Sequence, residues 1–169
     1  MGAFSLDFIP QQFSTTLNGY QVAGSCDRIN MPRIDFDTVS HRGGGMIGPR
    51  EMRLGIKLIE WSVSFISFDP QILGLGAAKN AVFSASGYMD GDANATHTWS
   101  LQTIGSPKKF DPGRFEPGRK IELNLDITCV AALLKIDSSI VYDIDVLNGV
   151  FAFNGVDGYP AIKTALGLA

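Results

Sequence analysis

Cysteine is almost absent from this chain: there are two in 169 residues, Cys26 and Cys129. Two thiols make neither a disulfide framework nor a spaced Cys/His metal site. Histidine is as scarce, and His41 and His97 lie far apart, outside any metal-ligand spacing. A surplus of positive charge is missing too. Fourteen basic against seventeen acidic side chains leave a formal charge of −3, too mild for a nucleic-acid binder, which carries a basic excess on its contact face. No apolar run approaches the roughly 18 residues of a membrane span. The opening "MGAFSLDFIPQQF" has neither the basic n-region nor the long apolar core of a signal peptide. Leu6 stands where the myristoylation pattern needs Ser or Thr. No membrane anchor is therefore expected. The chain is expected to mature in the cytoplasm of the cell that makes it, with Asn94-Ala95-Thr96 an idle sequon.

What is present is a period of two. Apolar residues are 45% and charged residues 18%, a composition for one globular domain over residues 1–169. In "KIELNLDITCVAALLKID", Ile121, Leu123, Leu125, Ile127, Cys129, Ala131 and Leu133 share one face. Lys120, Glu122, Asn124, Asp126 and Thr128 share the other. That is a half-buried antiparallel strand, with Cys129 a buried thiol. From Val130 to Leu134 both faces are apolar, so this end is expected to lie under another layer. "KLIEWSVSF" repeats the logic with Ile59, Trp61, Val63 and Phe65 inward. Residues 81–104 read as a hairpin around "GDANA", and Asn18-Gly19 is a two-residue turn. "IDFDTV" is a further strand, and Asp137-Ser138-Ser139 turns into "IVYDIDV". Helix signals are few: Asp69 as N-cap before Pro70, and "YPAIKTALGL" near the C-terminus. Residues 105–118, with Pro112 and Pro117, read as a loop. The expected fold is mainly β: an antiparallel β-sandwich or partly closed barrel with one or two short helices.

Apparent chemistry does not survive its context. "SHRGGGMIGPR" contains G-x-G-x-x-G at Gly43, Gly45 and Gly48. A dinucleotide site needs an apolar strand before that motif and a helix after it; here "VSHR" precedes and Pro49 follows. "DGDANA" mimics a calcium loop, but Ala95 stands at the glycine position and Leu101 at the closing glutamate. No G-x-S-x-G elbow is present. Asp143 and Asp145 share a strand face, which solvation explains as well as catalysis does. No catalytic residue, metal site or cofactor is expected.

The order of pieces resembles one family, the major tail tube proteins of contractile-tailed bacteriophages. "NGYQVAGSCDRINMPRI" is similar to that family's opening strand pair, and "HRGGGMIGP" to its glycine-rich arm. "IEWSVSF" followed by "DPQIL" resembles its central strand and helix, and "VYDIDVLNGVFAFNGVDGY" its closing segment. The likeness runs from about Asn18 to the C-terminus; the first dozen residues and "ALGLA" depart from it. It implies hexameric rings stacked into a hollow tube, with sheath protein outside, baseplate and tail terminator proteins at the ends, and phage DNA passing down the lumen. It implies neither catalysis nor a cofactor, and it places the mature protein in the virion tail. The same fold serves phage-tail-like bacteriocins and type VI secretion-like machines; a β-sandwich ligand-binding module is the remoter reading.

Two sets of residues carry this picture. Glu122, Asn124, Asp126 and Thr128 form a wet row poor in cations, suited to a lumen. Duplex DNA carries one charge per ~1.7 Å, and repeated Lys or Arg contacts would hold it by counterion release. Arg42, Gly43, Gly44, Gly45, Met46, Ile47, Gly48, Pro49 and Arg50 pair pliable glycines with exposed apolar residues. They are expected to contact an adjacent subunit or ring, within an extended inter-subunit arm at 40–56. Residues 1–12 are expected to be an irregular N-terminal segment.

Overall fold

The alternating segments become strands in the computed structural model, which describes residues 8–22, 24–91, 96–160, 164 and 167. In chain order the elements are β1 (Phe8–Leu17), β2 (Tyr20–Val22), β3 (Cys26–Arg33), β4 (Phe36–His41), β5 (Arg50–Ile56) and β6 (Ile59–Phe65). Then come α1 (Pro70–Gly74), β7 (Ala81–Gly91), β8 (Thr96–Asp111), β9 (Leu123–Ile136), β10 (Ser139–Asp145), β11 (Val150–Phe153) and β12 (Val156–Asp157). Eight strands run in the order β12-β11-β10-β9-β8-β7-β1-β2, while β6 also joins β9 and β3 joins β6. The sheet therefore forks. Leu123–Cys129 of β9 pair with β6, Ala131–Ile136 pair with β10, and β8 runs along the opposite edge of both halves.

The two branches close on one core. Trp61, Val63 and Phe65 from β6 and Leu123, Leu125 and Ile127 from β9 belong to the same buried cluster as Phe83, Leu101 and Leu17. Each such side chain contributes roughly 1.5–3 kcal/mol on burial. Asp69 caps α1 by accepting from the Gln71 N–H at 2.9 Å, and it accepts the Tyr20 hydroxyl at 2.8 Å. The helix brings Ile72, fully buried, to the core. Asn18 and Gly19 both take positive φ, 49° and 85°, as a tight hairpin turn demands.

Four expectations need correction. Residues 105–111 are strand, not loop, because β8 pairs with β9 as far as Asp111↔Asn124. Pro107 is tolerated there because it sits at a bulge with no second partner strand asking for its N–H. The inward row of β9 also changes parity. Cys129 is buried and so is Ala132, while Ala131 and Leu133 are half-buried. A bulge opposite Ile104/Gly105 inserts Val130 as an unpaired residue, which turns the pleat over. The Val130–Leu134 end is only partly covered. Finally, β1 begins at Phe8, so residues 8–12 are strand, with a bulge between Pro10 and Gln12. The "GDANA" tip, residues 1–7 and most of the C-terminal helix lie outside the described residues; Pro160 and Thr164 are helical.

Candidate assembly surfaces

Opposite the core, one branch presents a polar face built from four strands. On β9, Asn124, Asp126 and Thr128 stand half-buried in a row. Ser64, Ser62 and Glu60 of β6 face them in register; Asp111, Lys109 and Ser106 of β8 do so on the other side. Arg28, Asn30 and Arg33 of β3 extend the rows beyond β6. Ser64 Oγ donates to Asn124 Oδ1 at 2.6 Å and Asn30 Nδ2 to Ser62 Oγ at 2.7 Å. The chain alternation sets this face; the hydrogen bonds tie its neighbouring strands together.

The row on β9 carries no cation, but the assembled face does. Lys108 reaches Glu60 at 2.5 Å and Arg33 reaches Asp35 at 2.9 Å. Lys109 stands directly opposite Asp126. Glu122 lies just before β9, exposed, in a depression that it shares with Arg114, Arg119 and Lys120. Arg114 and Arg119 both pair with Glu116, at 2.9 and 3.1 Å. Sequence alternation along one strand could not show this neutralisation, because the cations arrive from neighbouring strands and a loop.

Both outer edges of this four-strand branch are open among the described residues. β3 pairs only with β6, and Ser106–Asp111 of β8 pair only with β9. Each edge carries a proline and a bulge, Pro32 within the Asn30/Arg33 shift and Pro107 beside the Pro107/Lys109 shift. Such irregularity rejects a flat foreign strand while leaving donors and acceptors for a matching one.

The segment containing Arg42–Arg50 is the tip of a two-stranded ribbon. β4 and β5 pair with each other and with no other described strand. At the root, Phe36 meets the Phe151 ring edge-on at 5.9 Å, with the Arg53 guanidinium 4.1 Å above it. Ile34, Phe36 and Ile56 pack on the core. Beyond that root the ribbon is exposed, including every residue of β4 after Phe36. Gly43, Gly45 and Gly48 are therefore at a hairpin tip, with no helix to follow. An isolated two-stranded hairpin is marginally stable in water, so this ribbon gains by being covered.

The remaining candidate groups have structural roles. Burial pushes the Cys129 thiol up to about 11, and the half-buried Cys26 likewise to about 11. Asp145 accepts from the Leu147 and Asn148 N–H groups, both at 3.0 Å, and closes the β10–β11 turn. The Asn148 side-chain amide is the main reason its carboxyl lies below the usual range. His97 sits against Asp137 at 2.5 Å. Trp61 and Trp99 are core residues, 3% and 7% exposed, not a row of exposed aromatics.

The profile of the family described as "Phage tail tube protein FII" matches residues 10–167. The chain belongs to that family. It is also 27% identical over 160 residues to the tail tube protein of Escherichia phage P2, covering 90% of this chain and 92% of that one. Among solved structures, its fold is similar to a chain of the PVC extracellular contractile injection system, seen in the extended sheath–tube complex. There the TM-score is 0.55 at 11% identity, covering 73% of this chain and 88% of that one. A chain of the anti-feeding prophage baseplate gives a TM-score of 0.51 at 13% identity, covering 82% and 97%. The resemblance read from the sequence is thereby borne out, and this tail tube protein is a structural component of a phage tail.

Proposed function

We propose that six copies of this chain close into a ring and that rings stack into the hollow inner tube of a contractile tail. The observation that carries this is the four-strand polar face with two open edges. Pairing β3 of one subunit with the Ser106–Asp111 edge of the next removes both edges at once, and repetition round a closed ring leaves the polar face lining a bore. Glu122, Asn124, Asp126 and Thr128 then face the lumen, with Lys109 and Lys108 answered by Asp126 and Glu60. A wall whose cations stand among carboxylates, with Lys108 paired to Glu60 and Arg33 to Asp35, gives passing DNA fewer sites at which to displace counterions. The ribbon tip, Arg42–Arg50, covers a neighbouring subunit or ring. The tube takes sheath protein on its outer surface and terminator and baseplate proteins at its ends, carries phage DNA, and performs no catalysis.

A second reading has support of its own. The fold-level likeness to PVC and anti-feeding prophage chains favours a bacteriocin-like or secretion-like injection device, whose bore carries no genome. Negative-stain microscopy of the purified protein tests the shared part: rings or hollow rods are expected, and a solitary monomer at every concentration overturns it. Nuclease-protected DNA in particles from producing cells is expected for the phage reading; particles with tubes and no DNA favour the other.

A further inference from the structure

The arm reading above, on which this inference rests, leaves the tip's receptor unnamed. At one end of the sandwich an apolar groove of about 290 Å³ lies between β3 and the larger branch. Ile29 and Met31 form one wall, and Phe13, Leu134 and Ile136 form much of the other. Met31 and Ile136 remain 43% and 36% exposed. The cause is local: the Asn30/Arg33 bulge releases Met31 and Pro32 from pairing with β6, so this end of the core lacks a covering strand. No described lining residue of the groove is charged. It adjoins a polar trough that shares Phe13 and Trp99 with it and whose charged lining residues are Asp27 and Asp137. The Thr98 backbone N–H, then His97, hold Asp137 below the usual carboxylate range, so it is an anion at neutral pH.

The complementary object lies on the same chain. The Gly43 N–H donates to Met46 Sδ at 3.1 Å and the Met46 N–H donates to Gly43 O at 3.3 Å. This small turn draws Met46 back and throws Ile47 outward, fully exposed at 103%. Arg42 and Arg50 flank it, both exposed. Ile47 is thus uncovered by the described residues of its own chain and open to a second copy. We propose that Ile47 of one copy docks into the apolar groove of a second copy against Met31, Phe13 and Ile136. Arg42 and Arg50 then meet Asp27 and Asp137 in the adjoining trough. An apolar knob enters a dry slot while two cations meet two anions, which fixes both affinity and orientation.

Two full-length variants test this, Ile47→Cys and Met31→Cys, each with Cys26→Ser so that the buried Cys129 is the remaining native thiol. Mixed, assembled and oxidised, they are expected to yield a disulfide joining tryptic segment 43–50 of one chain to segment 29–33 of the other. Tubes that form without that link overturn the proposal. So does a Met31→Cys chain that pairs instead with Ser5→Cys of its own chain, which would assign the groove to residues 1–7. As an independent arm, Ile136→Glu should leave the monomer folded and raise the concentration needed for tubes roughly ten- to hundredfold, the worth of one buried aliphatic side chain; an unchanged threshold is contrary. Deleting Gly43–Ile47 separates the two claims. Normal tubes after deletion refute the arm itself; lost tubes together with an absent 43–50 to 29–33 link refute only the groove.

Discussion

Replacing Gly105 with alanine probes the point where the sheet forks. Gly105 faces Cys129 beside the bulge that turns β9 over. A Cβ at this position would stand 2.2 Å from the Thr128 carbonyl oxygen and 2.9 Å from Cys129 Cα. Carbon–oxygen contacts between neighbouring strands normally settle near 3.3–3.6 Å, so β8 and β9 must part by about 1 Å. Neither obstructing atom belongs to a side chain that could rotate away, and β6 pins this half of β9 from the far side. Overpacking costs typically 1–3 kcal/mol, and a backbone clash takes the upper end, about 3 kcal/mol. For a domain of this size each kcal/mol lowers Tm by about 2–4 °C, which gives a drop of roughly 6–12 °C. Thermal melts followed by far-UV circular dichroism, at one dilute protein concentration, read it directly. Gly44→Ala is the control, since its Cβ meets nothing within 4 Å, and it should melt with the wild type. If the two variants melt together, the close approach of β8 to β9 is refuted.

Other outcomes can be stated. Glu122→Lys combined with Asp126→Lys should leave tubes intact but slow genome exit, because Lys109 and the new lysines would stand unanswered on the face; unchanged ejection kinetics refute the lumen assignment. The lowered carboxyl of Asp137 contributes stability that is present above its unfolded value near 3.8 and lost as pH falls through its folded value. Asp137→Asn, which keeps tolerance for the positive φ of 53° there, should therefore be less stable than wild type at pH 6, with the gap closing in acid; urea midpoints measured across that range check the sign. The Cys129 thiol, pushed up to about 11 by burial, should react with a disulfide reagent at pH 8 far more slowly in the folded chain than in urea. Equal rates would mean that the site is open.

Much of this fold was legible because burial follows strict alternation. The inward rows of β6 and of the first half of β9 needed only the sequence, as did the Asn18-Gly19 turn and the Asp69-Pro70 helix start. What escaped was whatever one strand cannot report about its neighbours. Prolines and glycines around 105–118 read as a loop, since nothing local reveals that β8 continues through a bulge. The parity change at Val130 is likewise a property of the pair, not of β9 alone. For the candidate lumen, alternation chose the residues but missed Lys108, Lys109 and Arg28, which pairing brings alongside. For the arm, composition flagged the glycines and Ile47 but did not reveal the β4–β5 pairing that carries them. The ribbon is anchored at Phe36 and Ile56, and its glycines are at the far end.

The fork has a mechanical consequence. Since one continuous strand serves as the spine of both branches, no single cut in the chain divides the domain into parts that could hold their own shape. Load applied to the four-strand polar face must pass through the same backbone that carries the larger branch. Amide exchange along Asn124–Cys129, paired on both sides, should accordingly be slow, set by complete unfolding and not by local fraying.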